Sequence, residues 1–438
     1  MITPSFNLTA TERVLPKLAL DFTTASLDNR ITFTRTTGAS NPATYVNSSG
    51  VVTAATNNQP RFDYNPIALV CKGLLIEESR ENKVIYSEDL SNAVWTKSAT
   101  SVSTNAAVSP DGATTADKLV EDTSTGAHYT YEQKTGLTVT TYTWSIFAKA
   151  AGRNWIYLTE GNNVTATAWF DLANGVTGTV SGTGSPSATI TNYGNGWYRC
   201  TMTATIIASV FNCQVRMGTA NGTGSYTGDG TSGVYLWGGQ LEAGAFATSY
   251  IPTTTAALTR NADVATITGT NFSNFWRAGK GGVLVRALPS TVSGTRPLVQ
   301  FDDNTADNII ALRGNTTNPE LYIRSGGVDQ ATIDAGAISA AAYRLAGTWA
   351  AGNAAASLNS GAAVLGAPGA IPAVTQARLG SDGTNYLNGH LQAIEYYDSR
   401  ILNGNLPLLS SSAGYNRVLG PVLRDQVNVS QVNHRVIY

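Results

Sequence analysis

The chain has 438 residues, a length that predicts two to four domains because single hydrophobic cores stop growing well below this size. Charged residues make up 13% of the chain, about half of the usual share of roughly 25%, and Thr, Ser, Asn and Gly take their place. The net charge of −1 provides no positive field for nucleic acid, and no run of about eighteen apolar residues could cross a bilayer, so neither nucleic-acid binding nor membrane insertion is expected.

The composition favours β-structure. Thr fits a pleated surface and Gly, Asn and Ser supply turns, whereas the scarce Glu, Lys and Arg are the residues that solvated helix faces need. Short runs rich in Val, Ile, Thr, Tyr and Trp recur about every ten residues, which is typical of sandwiches and barrels. We therefore predict an all-β fold of tandem antiparallel β-sandwiches, of jelly-roll or concanavalin-like type, with a β-rich N-terminal region. Helices are expected only at residues 89–95 and 116–120.

In chain order, the pattern divides into four regions. Residues 1–88 form the N-terminal β region, with predicted strands at 31–34, 43–46 and 73–78. Residues 89–252 form a first sandwich, with predicted strands at 129–133, 141–148, 155–159, 166–172, 197–206 and 234–241. Residues 253–412 form a second sandwich, with predicted strands at 282–287, 298–301, 320–325, 343–349 and 386–397. The tail, residues 413–438, alternates weakly and is expected to add a strand to a neighbouring subunit.

Acidic side chains do not form the pattern of a glycan-cleaving site, which needs two carboxylates on one concave strand. The densest acidic cluster is predicted to be a solvated face beside Arg80 and Lys83; it comprises Glu77, Glu78 and Glu81. A second group resembles a turn with some potential to bind calcium, although a solvated loop is favoured; it comprises Asp302, Asp303 and Asp307.

Cysteine and histidine residues are too few and too scattered for a metal site. The three cysteines are an odd number in strand-like runs and are predicted to be buried free thiols: Cys71, Cys200 and Cys213. The three histidines lie far apart and are expected at the surface or at strand edges: His128, His390 and His434. No metal and no cofactor is expected.

Two stretches carry a family resemblance. Residues 72–78 (KGLLIEE) followed by 86–95 (YSEDLSNAVW) resemble a family of phage head-spike, head-fibre and tail-fibre proteins that carry a carbohydrate-binding-module, concanavalin-like domain. Further matches lie at 110–119, 142–150, 196–199 and 239–253, and residues 388–400 look like the closing strand of laminin-G or concanavalin-like domains in phage fibres.

The resemblance implies a structural virion protein. It would be assembled in the host cytoplasm and exposed on the virion surface, as a homotrimer that contacts other virion proteins and binds host-cell polysaccharide. Residues 1–88 would then serve as a virion anchor or an oligomer contact. The resemblance supplies no ligand residues and does not separate head from tail location.

The aromatic residues of the first sandwich suggest where a sugar would bind. Six of the eight tryptophans lie between residues 95 and 237. Alternation places Tyr142, Trp144 and Ile146 on one core face, whereas Trp155 and Tyr157 lie on the face opposite Ile156 and Leu158. The predicted glycan platform, which competes with a purely structural role in the core, comprises Trp155, Tyr157 and Trp169, with Glu160 or Asn162 nearby.

We therefore expect a non-enzymatic head fibre, head spike or tail fibre that displays glycan-binding sandwiches for host attachment. One alternative is a purely architectural capsid or tail decoration protein that touches no glycan. The other alternative is a polysaccharide depolymerase whose carboxylates meet across subunits.

Overall fold

A computed structural model describes residues 15–35, 43–162 and 165–411 of the chain. Antiparallel strands make up almost all of its secondary structure. The all-β prediction is confirmed. Helical segments are short: α1 at Gly269–Ser273, α2 at Leu406–Leu409, and 3₁₀ turns at Phe22–Thr24 and Asn403–Asn405. Within the described ranges, no helix has the length and apolar character to cross a membrane.

The strands fall into three groups along the chain. The first group, β1 to β7, comprises Leu18–Asp21, Thr32–Thr34, Thr44–Val46, Val52–Ala54, Phe62–Tyr64, Cys71–Ile76 and Arg80–Asn82. The second group, β8 to β21, comprises Thr96–Ser98, Thr100–Ala107, Ala116–Glu121, Thr125–Gly126, Tyr129–Thr135, Thr141–Ala151, Trp155–Thr159, Thr167–Asp171, Val176–Ser181, Ser187–Gly194, Trp197–Thr205, Val210–Gly218, Tyr226–Thr227 and Gly233–Ala243. The third group, β22 to β33, comprises Leu258–Arg260, Val264–Ile267, Lys280–Pro289, Thr295–Asp302, Ile309–Asn315, Asn318–Ser325, Val328–Asp334, Tyr343–Ala350, Asn353–Leu358, Val364–Gly366, Gln376–Leu379 and Gly389–Tyr397.

The second group forms a sandwich of two six-stranded sheets, which we call the inserted sandwich. One sheet has the order β17-β18-β13-β21-β10-β9 and the other β16-β15-β14-β19-β12-β8. Apolar side chains from both sheets fill the space between them, among them Trp144, Phe170 and Val215. The predicted core face of Tyr142, Trp144 and Ile146 is confirmed, because all three are buried in this core.

Most strands of the first and third groups together form the other sandwich, which we call the outer sandwich, while β3 and β4 form a separate hairpin and β7 pairs with β22. One sheet has the order β31-β30-β29-β24-β33-β6-β5 with β1 paired to β33, and the other has the order β2-β23-β32-β25-β26-β27-β28. Its core joins side chains from both ends of the chain, such as Leu20 and Ile76 with Val285, Leu312 and Trp349.

The strand pairing therefore differs from the sequence-based division into consecutive regions. Strands β1, β2, β5 and β6 lie in the same two sheets as strands of residues 264–397, and residues 96–243 form a sandwich inserted between them. β7 and β22 form a short antiparallel pair, with Leu258 opposite Asn82. This pair lies at the point where the chain leaves the outer sandwich and later returns to it. Alternation shows which face of a strand is buried, but it does not identify a partner strand 200 or more residues away.

Both helix predictions in the inserted sandwich are wrong. Residues 116–120 lie in β10, where Ala116 and Leu119 are buried and the strand pairs with β21 and β9. Residues 89–95 form successive turns. Tertiary pairing on both sides of β10 overrides a weak local preference for helix.

Five charged side chains are buried where the two sandwiches meet. Asp263 pairs with Arg35, at 2.9 Å between Oδ1 and Nη1, and with Arg61. Glu77 pairs with Arg61 at 2.8 Å and with Arg260 at 3.5 Å. The three guanidinium groups are completely buried, so these ion pairs lie in a region of low dielectric where loss of one partner leaves an uncompensated charge.

Glu77 also links this network to the inserted sandwich. Its carboxylate accepts hydrogen bonds from the backbone N–H and the hydroxyl of Ser249, at 2.8 Å and 2.7 Å. Burial by itself would raise the pKa of Glu77, but Arg260 and Arg61 hold it below its ordinary value. The expectation of a solvated face is therefore wrong for Glu77, which is 5% exposed.

The described cysteines and histidines are all buried. Cys71, Cys200 and Cys213 are free thiols, as predicted. The surface expectation is wrong for His128, whose ring nitrogens lie 2.8 Å and 3.3 Å from backbone carbonyl oxygens, and for His390, whose Nε2 lies 2.9 Å from Asp63. Both rings are buried because protein partners replace water. His434 and the predicted tail strand lie outside the described residues.

Candidate functional site

The outer surface of the sheet β16-β15-β14-β19-β12-β8 carries the predicted aromatic residues. Along β14, Ile156 and Leu158 point into the core, so Trp155 and Tyr157 point outward. On β15 the neighbouring Phe170 is a core residue, which places Trp169 on the same outer surface. The structure thus brings the three predicted aromatic residues to one face.

Tyr157 and Trp169 are nevertheless covered. They lie opposite each other in the strand register, their rings stack with centroids 4.1 Å apart at 21°, and they are only 9% and 7% exposed. The chain at residues 218–224 lies against them, since a Cβ atom added to Gly218 would lie 2.6 Å from Trp169 and one added to Gly224 would lie 2.5 Å from the Tyr157 hydroxyl. Neither ring presents a free face to a sugar.

Trp155 is the accessible member of the set. It is half-buried and lines a hollow of about 310 Å³ at the end of β14. In the strand register Trp155 lies between Asp171 on β15 and Gly218 on β19. Among the described residues, the hollow is lined by Gly152, Arg153, Asn154, Trp155, Asp171, Ala173, Asn174, Gly218 and Thr219.

Asp171 supplies the hollow with a carboxylate held by amide groups. Its Oδ1 accepts from the backbone N–H groups of Ala173 and Asn174, at 2.9 Å and 3.3 Å, and its Oδ2 accepts from the Asn174 side-chain amide at 2.7 Å. No Lys or Arg of the described chain pairs with it within 4.0 Å. The carboxylate is fixed in position by these hydrogen bonds and has further acceptor capacity for a ligand.

Arg153 lies beside Trp155 but is already engaged. Its Nε and Nη2 donate to the two oxygens of Glu121, at 2.7 Å and 2.5 Å, and Nη2 lies 3.6 Å from Asp229. The guanidinium also lies over the ring of Tyr226, 5.0 Å from its centroid. The hydrogen bonds to Glu121 raise the pKa of Arg153 above its ordinary value. The group therefore holds the strand ends together and offers little charge to a ligand.

The outer face continues away from Trp155 with residues that sequence reasoning missed. Arg216 on β19 lies over Tyr129 and Tyr157, with Cζ 4.3 Å and 5.9 Å from the ring centroids, and its Nε donates to Gln214 at 2.8 Å. Tyr131 follows Tyr129 at a centroid distance of 6.2 Å. The alternation of Tyr129 and Tyr131 with buried neighbours on β12 would have indicated this outward face.

The two polar residues predicted beside the aromatic set are elsewhere. Glu160 is completely buried on the side of Ile156 and Leu158, and its Oε2 accepts from the backbone N–H of Asn162 at 3.1 Å. Five residues of extended strand, about 17 Å, separate Glu160 from Trp155. The polar residues beside Trp155 are instead Asp171, the last residue of β15, and Asn174 in the turn that follows it.

The described residues contain no group of three or more His, Cys, Asp or Glu side chains that could hold a metal ion. In the turn considered for calcium, Asp302 is 1% exposed and pairs with Arg378 at 2.9 Å, which makes the solvated-loop expectation wrong for this residue. Asp303 accepts instead from Thr305 and Asn308. The three carboxylates of this turn do not converge on one point.

The comparisons with known proteins add structural likenesses. No protein-family model and no curated protein sequence matches the chain. Among solved structures, the CBM40 module of the Ruminococcus gnavus IT-sialidase, bound to α2,3-sialyllactose, is similar at 12% identity and a TM-score of 0.26; the match covers 30% of this chain and 83% of that chain. Domains LG4-5 of the mouse laminin α1 chain are similar at 10% identity and a TM-score of 0.21, covering 62% of this chain and 85% of that chain. Both scores are low, so the description of the fold depends on the sheets and cores of this chain itself.

Proposed function

We propose that this chain binds carbohydrate through the hollow beside Trp155 and does not cleave it. The observation that carries the proposal is the pairing of a half-buried tryptophan with a fixed carboxylate and two asparagine amides in one concave site. An indole ring packs against the apolar face of a pyranose, while carboxylate and amide groups bind its hydroxyls.

The setting we propose is the surface of a phage particle. The support is the sequence resemblance at residues 72–95 to head-spike, head-fibre and tail-fibre proteins. In that setting the chain is a homotrimer that contacts other virion proteins and holds host-cell polysaccharide. Three weak sites that engage one polysaccharide surface together bind far more tightly than one site does.

Replacement of Trp155 by alanine tests the binding site. The Trp155→Ala variant of the full chain should lose at least about tenfold in affinity for any glycan that the parent chain binds. The reason is that the packing of the sugar ring on the indole is removed while the core remains intact. Binding is measured on a glycan array and then by calorimetry with the glycans that bind. The matched control is Trp276→Ala, a half-buried tryptophan of the outer sandwich, which should bind as the parent does.

Each result has a clear meaning once the melting temperature shows that both variants are folded. Unchanged glycan binding in Trp155→Ala would overturn the site. Absence of glycan binding in the parent chain would favour the purely architectural alternative. New reducing ends after incubation with host polysaccharide would instead favour a depolymerase.

A further inference from the structure

The charges around the Trp155 hollow are unbalanced. Arg153 is the one cation among its described lining residues, and both oxygens of Glu121 already accept its hydrogen bonds. Asp229 also lies within ion-pair distance of Arg153, and Asp171 lines the hollow without a cationic partner in the described chain. Two carboxylates thus contact the one guanidinium, and Asp171 adds a third carboxylate to the lining of the hollow.

The two carboxylates that contact Arg153 are kept ionised by their surroundings. Hydrogen bonds from Ser232 and Thr231 hold the pKa of Asp229 below its ordinary value. Burial would raise the pKa of Glu121, but Arg153 and Tyr226 hold it below its ordinary value. Together with Glu121 and Asp229, which contact Arg153 from outside the lining, the charged groups of the hollow comprise more carboxylates than cations.

We propose that the Trp155 hollow selects uncharged sugar residues and disfavours sialic acid, uronic acids and sulfated sugars. The inference rests on the proposed carbohydrate-binding function and names its ligand class. The one cation that a ligand carboxylate would meet in the hollow is Arg153, whose Nε and Nη2 already donate to Glu121. A like charge held about 6 Å away in water weakens binding roughly threefold, and the effect is larger in a partly buried site.

Neutral hydroxyl groups fit the groups that are present. The Asp171 carboxylate accepts hydrogen bonds from hydroxyls, and a hydrogen bond to an ionised acceptor is about twice as strong as a neutral one. Asn154, Asn174 and Thr219 add neutral donors and acceptors around the rim of the hollow. Trp155 contributes an apolar surface that carries no charge.

The experiment compares matched glycans on the full chain. An array presents neutral oligosaccharides and the same oligosaccharides with an added sialic acid, glucuronic acid or sulfate, at about 0.02 M and about 0.5 M salt. We expect the neutral member of each bound pair to bind at least about threefold more tightly at low salt, with a smaller difference at high salt.

Substitution of Asp171 assigns this preference to the hollow. Asp171→Asn should weaken binding of neutral glycans roughly tenfold, because a charged acceptor is lost. The control is Asp382→Asn in the outer sandwich, because Asp382 accepts from two backbone N–H groups and from the Asn385 amide in the same arrangement. This control should bind as the parent does.

Three outcomes would overturn the inference. Equal or tighter binding of the charged glycans contradicts the inference directly. If Arg216→Gln then abolishes the binding of charged glycans, the Arg216 guanidinium selects the ligand. Full retention of neutral-glycan binding in Asp171→Asn removes the hollow from recognition. If the parent chain binds no glycan of either class, the proposed function fails and the inference falls with it.

Discussion

Two tryptophans on the same face have different roles. Trp155 and Trp169 both point outward from neighbouring strands, yet Trp155 lines an open hollow and Trp169 is covered. The difference comes from glycines, because Gly218 and Gly224 allow the chain at residues 218–224 to lie directly against Trp169 and its stacked partner Tyr157. The covered pair supports the sheet, and the open ring is left for a ligand.

Removal of the covered ring should therefore destabilise the fold. Trp169→Ala removes a stacked and 93%-buried indole and should lower the free energy of unfolding by about 3 kcal/mol, whereas Trp155→Ala should lower it by about 1 kcal/mol or less. Urea unfolding followed by tryptophan fluorescence and circular dichroism measures both. A larger loss in Trp155→Ala than in Trp169→Ala would contradict the distinction.

At the scale of elements, three strands of the outer sandwich meet at a cavity beside the inserted sandwich. Asp63 on β5 pairs with Lys72 on β6 and lies 2.9 Å from Nε2 of His390 on β33. Its Oδ1 also accepts from the backbone N–H of Val46 at 2.7 Å. These contacts tie the β3–β4 hairpin to the sheet at the junction, next to a cavity of about 140 Å³ that both sandwiches line.

This group makes stability depend on pH. Burial would raise the pKa of Asp63, but the hydrogen bond with His390 and the charge of Lys72 lower it from 3.8 to about 2. Burial, aided by Lys72, lowers the pKa of His390 below its ordinary value of 6.5. In both cases the unfolded chain binds a proton more readily than the folded chain, so stability is lost as the pH falls.

We expect the melting temperature to decline below about pH 6.5, where His390 contributes, and to decline further between about pH 4 and pH 2, where Asp63 contributes about 2 kcal/mol. Scanning calorimetry from pH 8 to pH 2.5 measures this decline. The variant Asp63→Asn should lose less stability in the acidic window, and Asp307→Asn, which removes an exposed carboxylate, should behave as the parent. An equal acidic loss in Asp63→Asn and the parent would contradict the assignment.

At the scale of the whole molecule, one sandwich is inserted into the other. The inserted sandwich has its own core between two sheets, whereas the core of the outer sandwich needs side chains from both ends of the chain, such as Leu20 with Ile394. The buried charges at Glu77 and Asp263 lie where the two units meet. Each unit thus has a complete core, but only the inserted one is continuous in sequence.

Fragments should show this difference. Residues 83–254 expressed alone should unfold cooperatively, because both of their sheets and their core are retained. Residues 253–411 alone should not, because they lack β1, β2, β5 and β6; joining residues 15–82 to 258–411 by a short linker should restore cooperative unfolding. Urea titration with circular dichroism compares the three. Cooperative unfolding of 253–411 alone would contradict the shared sheets.

Part of the candidate site followed from the residues themselves. Alternation placed Trp155 and Tyr157 outward and placed Tyr142, Trp144 and Ile146 in the core, because side chains of a strand point to opposite faces in turn. Asp171 was missed and Glu160 was chosen in its place. Proximity along the chain favours Glu160, but Glu160 directly follows β14 and is turned to the buried side, whereas Asp171 lies across from Trp155 on the next strand.

The amino-acid sequence by itself determined the all-β class, most strand positions, the inward and outward faces and the free cysteines, because these depend on local composition and on a period of two residues. Only the tertiary structure decided which strands pair, that the N-terminal strands complete the sheets of the outer sandwich, that Glu77 is buried among arginines, and that residues 218–224 cover Trp169. These features depend on contacts between segments far apart in the chain, and local periodicity carries no record of such partners.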